Sequence, residues 1–192
     1  IGQIELMNLF KKNFNKVKLN LSQILLTLED TEQRRRAINA KRTINNLFQL
    51  GFVPIVNEND SIATSEIKYG DNDRLAARVA QIIGADTLII FSDVDGLYDK
   101  GNTNKIIKEV KNLNSNIYKL ADTKKNSYGS GGMITKLEAA NICMNAGCHM
   151  FIGNGNRKNP IKYMVEKKIF TKFIPKISTL AARKKWIVSS LS

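Results

Sequence analysis

The stretch Thr87-Leu88-Ile89-Ile90-Phe91-Ser92-Asp93-Val94-Asp95-Gly96 decides the fold class. Its first five residues are apolar or β-branched and read as a short strand buried on both faces, as strands of parallel sheets are. Its last five are polar and end in glycine, the composition of a loop at a strand's carboxyl end. Upstream, Asp73 to Ile83 reads as a helix with Leu75, Val79, Ile82 and Ile83 on one side and Gly84 as its terminator. Phe52-Val53-Pro54-Ile55-Val56 is a second short apolar run, expected to be a strand covered on both faces.

Further upstream, a helix starting at Thr31 carries Ala37, Ile38, Ile44, Leu47 and Phe48 and ends at Gly51. Val17 to Leu28 reads as a strand, and residues 2–14 as an amphipathic helix built on Ile4, Leu6, Met7, Leu9 and Phe10. Downstream, residues 99–128 are rich in Asn and Lys with weak periodicity, an excursion holding a short helix or strand. Gly129 to Gly132 opens a helix that runs through Ala146, followed by a strand at His149–Ile152, a helix at Asn159–Glu166 and a last strand at Phe170–Ile174. Strands alternating with helices imply an α/β fold, a mostly parallel sheet with helices on both faces. Right-handed crossovers then place the loops after Val56, Phe91 and Ile152 along one edge.

A chain of 192 residues suggests one domain, and 43% hydrophobic with 24% charged residues is ordinary for a globular protein. No apolar run approaches the roughly 18 residues that span a bilayer, so a cytoplasmic protein with no membrane partner is expected. Cys143, Cys148 and the single His149 are too few for a structural zinc site, which leaves two buried free thiols in a reducing compartment. The formal net charge is +13, yet its lysines and arginines are scattered and few aromatic residues lie among them. Nucleic-acid binding is therefore not expected.

The chemistry concentrates in three places. Between Asn57 and Asp73 the chain reads NENDSIATSEIKYGDND, with clusters Asn57-Glu58-Asn59-Asp60 and Asp71-Asn72-Asp73 and Glu66 between them. So many anionic and amide groups repel one another unless a cation or polar ligand offsets them, and the plainer reading is an Asx-rich surface turn. Gly129-Ser130-Gly131-Gly132-Met133-Ile134-Thr135-Lys136 is a glycine-rich turn into a helix with a lysine in its first turns. Glycines let backbone N–H groups approach phosphate oxygens at a helix N-terminus, and the lysine adds a mobile charge. The spacing is not that of a Walker A loop. A glycine-rich helix start with a solvated lysine is the plainer alternative. Ser92-Asp93-Val94-Asp95-Gly96-Leu97-Tyr98 has the look of a nucleotide-side loop, or of a turn capped by Asp side chains; it lacks EF-hand spacing.

VPIVNEND (Val53 to Asp60), EIKYGDND (Glu66 to Asp73), SDVDGLY (Ser92 to Tyr98) and GSGGMITKLEAA (Gly129 to Ala140) together resemble the amino-acid kinase family, and within it the glutamate 5-kinase branch. QILLTLED (Gln23 to Asp30), RRRAINAKRTINNLF (Arg34 to Phe48) and STLAARKKWIVSSL (Ser178 to Leu191) are similar as well, so the resemblance covers essentially the whole chain. It implies a three-layer αβα sandwich of the carbamate kinase-like type and ATP-dependent phosphorylation of the L-glutamate side-chain carboxylate, the first step of proline biosynthesis. By the resemblance, Lys136 stabilises the transferring phosphoryl group and Asp73 orients the catalytic lysines. Asp60 and Asn72 hold the amino-acid end of the substrate, with Asn57 and Asp71 as second choices. Ser92, Asp93, Ser130, Gly131, Gly132, Met133, Ile134, Thr135 and Lys136 line the ATP site, Mg²⁺ comes with ATP on ligands that no residue identifies, and a homo-oligomer with proline as feedback inhibitor is implied.

Family members begin with a strand and a glycine loop bearing a phosphate-binding lysine, followed later by a Ser-Ser-Gly type substrate loop, and Ile1 to Ser192 contains neither. The expectation is therefore a partial kinase domain over residues 1–192. Its first strands are missing, it has no C-terminal RNA-binding-like domain, and it is inactive as this segment alone. The competing readings are the acetylglutamate, aspartate or uridylate kinases of the same superfamily, and a noncatalytic basic RNA-binding module.

Overall fold

The computed structural model describes residues 2–59, 71–99, 102–121 and 132–182, which divide into two units, Ile1–Ile67 and Lys68–Ser192. The first unit holds α1 (Gly2–Asn15), β1 (Asn20–Leu26), α2 (Leu28–Glu32), α3 (Arg34–Gln49) and β2 (Phe52–Glu58). β1 and β2 are parallel, paired from Asn20 with Phe52 to Leu26 with Glu58, and α3 provides the crossover that a parallel pair requires. α3 buries Ala37, Ala40 and Ile44, the spacing of one helical face. Every residue of β2 is half-buried, so the full cover expected of this strand is only partly realised.

The single helix expected from Thr31 is two helices, and the cause is local. The Asp30 N–H donates to Thr27 Oγ1 at 3.1 Å and the Thr27 N–H donates to Asp30 Oδ2 at 2.9 Å, a reciprocal capping box that starts α2 three residues earlier. Gln33 is extended, with φ −74° and ψ 117°, and separates α2 from α3. Partial burial pushes the Asp30 carboxyl up, but the Thr27 hydrogen bonds and the Arg36 guanidinium outweigh it and hold the group below the ordinary carboxylate value.

The second unit holds α4 (Asp71–Ile83), β3 (Thr87–Ser92), β4 (Tyr98–Asp99), β5 (Asn102–Ile106), β6 (Glu109–Val110), α5 (Ser115–Ala121), α6 (Met133–Asn145), β7 (His149–Asn154), α7 (Pro160–Lys167) and β8 (Thr171–Phe173). Its larger sheet has the order β3-β7-β8-β6, with β3–β7 and β6–β8 parallel and β7–β8 antiparallel; β4 and β5 pair separately. The Asn- and Lys-rich excursion thus supplies β5, β6 and α5.

Of the parallel pair β3 and β7, β7 is the more deeply covered. Met150 and Ile152 are fully buried, whereas β3 buries only Ile90 and leaves Phe91 45% exposed. The apolar run of β3 is longer, but β7 sits between two neighbours while β3 lies at the end of the strand order.

α4 and α6 end in the same way. Gly84 adopts φ +72°, and Gly84 and Ala85 donate to the Gln81 and Ala80 carbonyls. Gly147 adopts φ +75°, and Gly147 and Cys148 donate to the Met144 and Cys143 carbonyls. Both are Schellman motifs, whose left-handed residue is cheapest as glycine. The apolar contact that accompanies such a motif falls on Ala80 with Ala85, and on Cys143 with Cys148, within one core cluster. The two thiols are therefore buried and free, as expected. Hydrogen bonding with Cys148, and then burial, push the Cys143 thiol up and keep it protonated.

Candidate active site

Two helix-to-strand units of the same build create one functional edge. α4 leads into β3 and α6 into β7, each through a three-residue connection, and each helix packs on the strand that follows it. So short a link forces the strand to run back along its helix. The 13 residues of α4 or α6 span about 20 Å, as do the 6 residues of β3 or β7. The N-termini of α4 and α6 therefore lie level with the carboxyl ends of β3 and β7, the edge where ligands bind in open α/β sheets.

The residues on the facing sides of the two helices explain what meets there. In α4, Asp73, Ala77 and Ala80 recur at i, i+4 and i+7; in α6, Lys136, Ala140 and Cys143 do the same. Ala77, Ala140 and Cys143 are wholly buried and Ala80 nearly so. Small side chains let the helices approach closely, and the next position toward each N-terminus then brings Asp73 to Lys136. Lys136 Nζ lies 3.0 Å from Asp73 Oδ2, with the lysine side chain 11% and the aspartate 19% exposed. Thr135 Oγ1 donates to the same oxygen at 2.9 Å and also lies 2.8 Å from the Gly132 carbonyl. Arg74 and Glu138 add a looser, half-exposed pair at 3.8 Å on the outer side.

Gly132 is the N-cap of α6 and brings no side chain to the first amides of the helix. Met133 is half-buried against the core, and Ile134 is exposed. Asp71, Asn72 and Asp73 occupy the first turn of α4, so this half of the acidic block is a helix start, where anionic side chains are favoured, and not a strand-end loop. Asn72 is exposed. The other half follows the sequence reading: Asn57 and Glu58 close β2 opposite Leu25 and Leu26, and the Asn59 N–H donates to the Leu26 carbonyl at 3.0 Å. Asn57 belongs to the first unit and Asn72 to the second. Asp60, Glu66, Ser130 and Gly131 lie outside the described residues.

A second cluster joins the loops after β3 and β7. Ser92 Oγ donates to Asp93 Oδ1 at 3.0 Å, the Gly155 N–H donates to the Ser92 carbonyl at 2.9 Å, and Asn154 Nδ2 donates to the Asp93 carbonyl at 3.3 Å. Arg157 pairs with Asp95 at 3.3 Å and lies over the Tyr163 ring at 5.2 Å from its centroid. The sequence reading found Ser92 and Asp93 but missed Asn154, Gly155 and Arg157. The available signal was Gly153-Asn154-Gly155-Asn156, a polar glycine run directly after a short strand. Among the described residues, no group of three or more His, Cys, Asp or Glu side chains converges to hold a metal ion. Among them, too, no helix is long and apolar enough to cross a membrane.

A sequence profile described as "Amino acid kinase family" matches residues 1–154. The chain belongs to the amino acid kinase family. Two proteins named Glutamate 5-kinase show how specific the match is. The one from Pelagibacter ubique (strain HTCC1062) is 63% identical over 100% of this chain and 53% of its own length. The one from Paramagnetospirillum magneticum (strain ATCC 700264 / AMB-1) is 46% identical over 99% of this chain and 52% of its own. The chain thus spans about half the length of the curated relatives it matches. Among solved structures, a UMP kinase from Ureaplasma parvum superposes with a TM-score of 0.52 at 16% identity, covering 83% of this chain and 61% of that one. That likeness supports the α/β kinase fold.

Proposed function

We propose that this chain carries the phosphoryl-transfer site of an ATP-dependent kinase that converts L-glutamate to L-glutamyl 5-phosphate, a step in proline biosynthesis. The observation that carries the reading is the Lys136–Asp73 pair at the N-terminus of a glycine-started helix. The high identity to proteins named for this activity supports the choice of acceptor. The acceptor carboxylate is ionised at neutral pH, so the reaction needs no general base and rests on positioning and charge neutralisation.

In this scheme Lys136 moves from Asp73 to the equatorial oxygens of the transferring phosphoryl group, and the open amides of α6 face the phosphates. Asp73 holds the lysine in place beforehand. Ser92, Asp93 and, through its backbone and the Lys136 side chain, the loop from Ser130 to Lys136 contact MgATP, whose metal arrives on the phosphate oxygens. Asp60, Asn72, Asn57 and Asp71 hold the amino-acid end of glutamate, an anionic Asp60 matching its ammonium group. We place residues 1–192 in one kinase domain of a cytoplasmic enzyme that self-assembles and responds to proline.

The acceptor is tested with the full product of the gene that encodes this chain, by measuring ADP release with glutamate, acetylglutamate, aspartate and UMP. Glutamate is expected to give the highest kcat/KM. A preference for any of the other three overturns the acceptor assignment, and salt-sensitive RNA binding with no ATP binding overturns the enzyme reading.

A further inference from the structure

We propose that Thr135 is a positioning residue for phosphoryl transfer, its hydroxyl holding Asp73 in place while Lys136 leaves it for the phosphoryl group. The proposal rests on the reading of Lys136 and Asp73 given above. By the family resemblance Thr135 belongs to the ATP-lining loop, but its hydroxyl is turned to the carboxylate.

Lys136 Nζ and Thr135 Oγ1 converge on a single oxygen, Oδ2 of Asp73, at 3.0 and 2.9 Å. A hydroxyl carries one proton, and Thr135 Oγ1 has two acceptors within reach, Asp73 Oδ2 and the Gly132 carbonyl at 2.8 Å. While the ammonium is on Asp73, the threonine proton is shared between the carboxylate and the carbonyl that begins α6. When the lysine swings away on its flexible stem, the carboxylate loses a charged donor in a place where its side chain is only 19% exposed. Rotation about the Thr135 Cβ–Oγ1 bond alone then turns the proton to Asp73. No change of side-chain rotamer is needed, because both acceptors already surround the same oxygen. The β-branch of threonine limits that rotamer further. Asp73 is therefore kept in register to take the lysine back after each transfer.

The test compares wild type, Thr135→Val and Thr135→Ser in the full gene product, reading kcat and KM for ATP separately. Valine keeps the β-branch and removes the proton donor; serine keeps the donor. Thr135→Val is expected to lower kcat by about tenfold to a hundredfold, the worth of a hydrogen bond to a charged group. KM for ATP should stay within about twofold of wild type and Thr135→Ser should restore kcat, as expected for a loss specific to the transition state. A melting cycle adds a readout free of turnover: Thr135→Val should lower the melting temperature by roughly 2–8 °C in the wild-type background and by less when Asp73→Asn is already present.

A raised KM for ATP with kcat intact makes Thr135 a nucleotide ligand and overturns the proposal, as does an equal melting shift in both backgrounds. If the wild-type protein prefers another acceptor but shows the same kcat pattern, the glutamate assignment falls and the role of Thr135 stands. Transfer to no acceptor overturns both.

Discussion

Asp73 shares one carboxylate oxygen between an ammonium and a hydroxyl, both from consecutive residues of α6. Adjacent positions on a helix point about 100° apart, so Thr135 and Lys136 reach the same atom only because the threonine is short and the lysine long. A second buried polar contact has a plainer structural role. The Leu97 N–H donates to Thr171 Oγ1 at 2.8 Å, and Thr171 is wholly buried, so this bond ties the segment after β3 to β8. Thr171→Val leaves that amide without its acceptor and is expected to cost about 1–3 kcal/mol in urea unfolding. An unchanged midpoint would show that another acceptor replaces the hydroxyl. The sequence marked Lys136, Thr135 and Asp73 as site residues through their motifs. Thr171 was not legible, since a lone threonine in a short strand carries no sign that a backbone amide 74 positions away depends on it.

Elements of this chain are set by their ends. Gly84 and Gly147 occupy the same left-handed position in the same motif, but their surroundings differ. A Cβ at Gly84 meets nothing within 4 Å, whereas one at Gly147 would lie 2.5 Å from Ser178 C and Thr179 N. Gly84→Ala is therefore expected to cost about 1–2 kcal/mol, the penalty of the conformation alone. Gly147→Ala should cost clearly more, because backbone atoms must shift as well. Equal losses in thermal unfolding would contradict this account. Thr27→Ala removes the cap of α2 and is expected to cost about 1 kcal/mol, or roughly 2–4 °C in melting temperature.

The α2 cap also has a pH signature. The folded pKa of Asp30 lies below its unfolded value, so its contribution is full at neutral pH. It is lost as pH falls below the ordinary carboxylate range and through the folded pKa. Comparing acid unfolding of wild type and Thr27→Ala checks this, and the variant should show a shallower acid limb. Helix ends at Gly51 and Gly84, the end of α6 near Ala146, and the alternation of strands with helices were readable in the sequence. Two things were not. Apolar periodicity hid the Thr27–Asp30 box, whose members are polar, and no spacing within one helix reveals that the alanine face of α4 meets that of α6.

At the scale of the whole chain, the charge of +13 bears on encounter more than on fold. If the proposed function holds, its substrates MgATP and glutamate are both anionic, and a cationic protein would raise their local concentration in a manner that salt suppresses. The family profile runs through residues 1–154, across α1 to β7, and so includes the two helix-to-strand units that build the candidate site. The central claim is that this site transfers phosphate through Lys136. Its most direct test is to trap the acyl phosphate formed from ATP and glutamate as the hydroxamate, with wild-type and Lys136→Ala forms of the full gene product. Wild type is expected to form the hydroxamate, and Lys136→Ala to form it about 10²–10³-fold more slowly, the scale for losing one preorganised charge at the transferring group. Hydroxamate formation by Lys136→Ala at the wild-type rate would contradict the account.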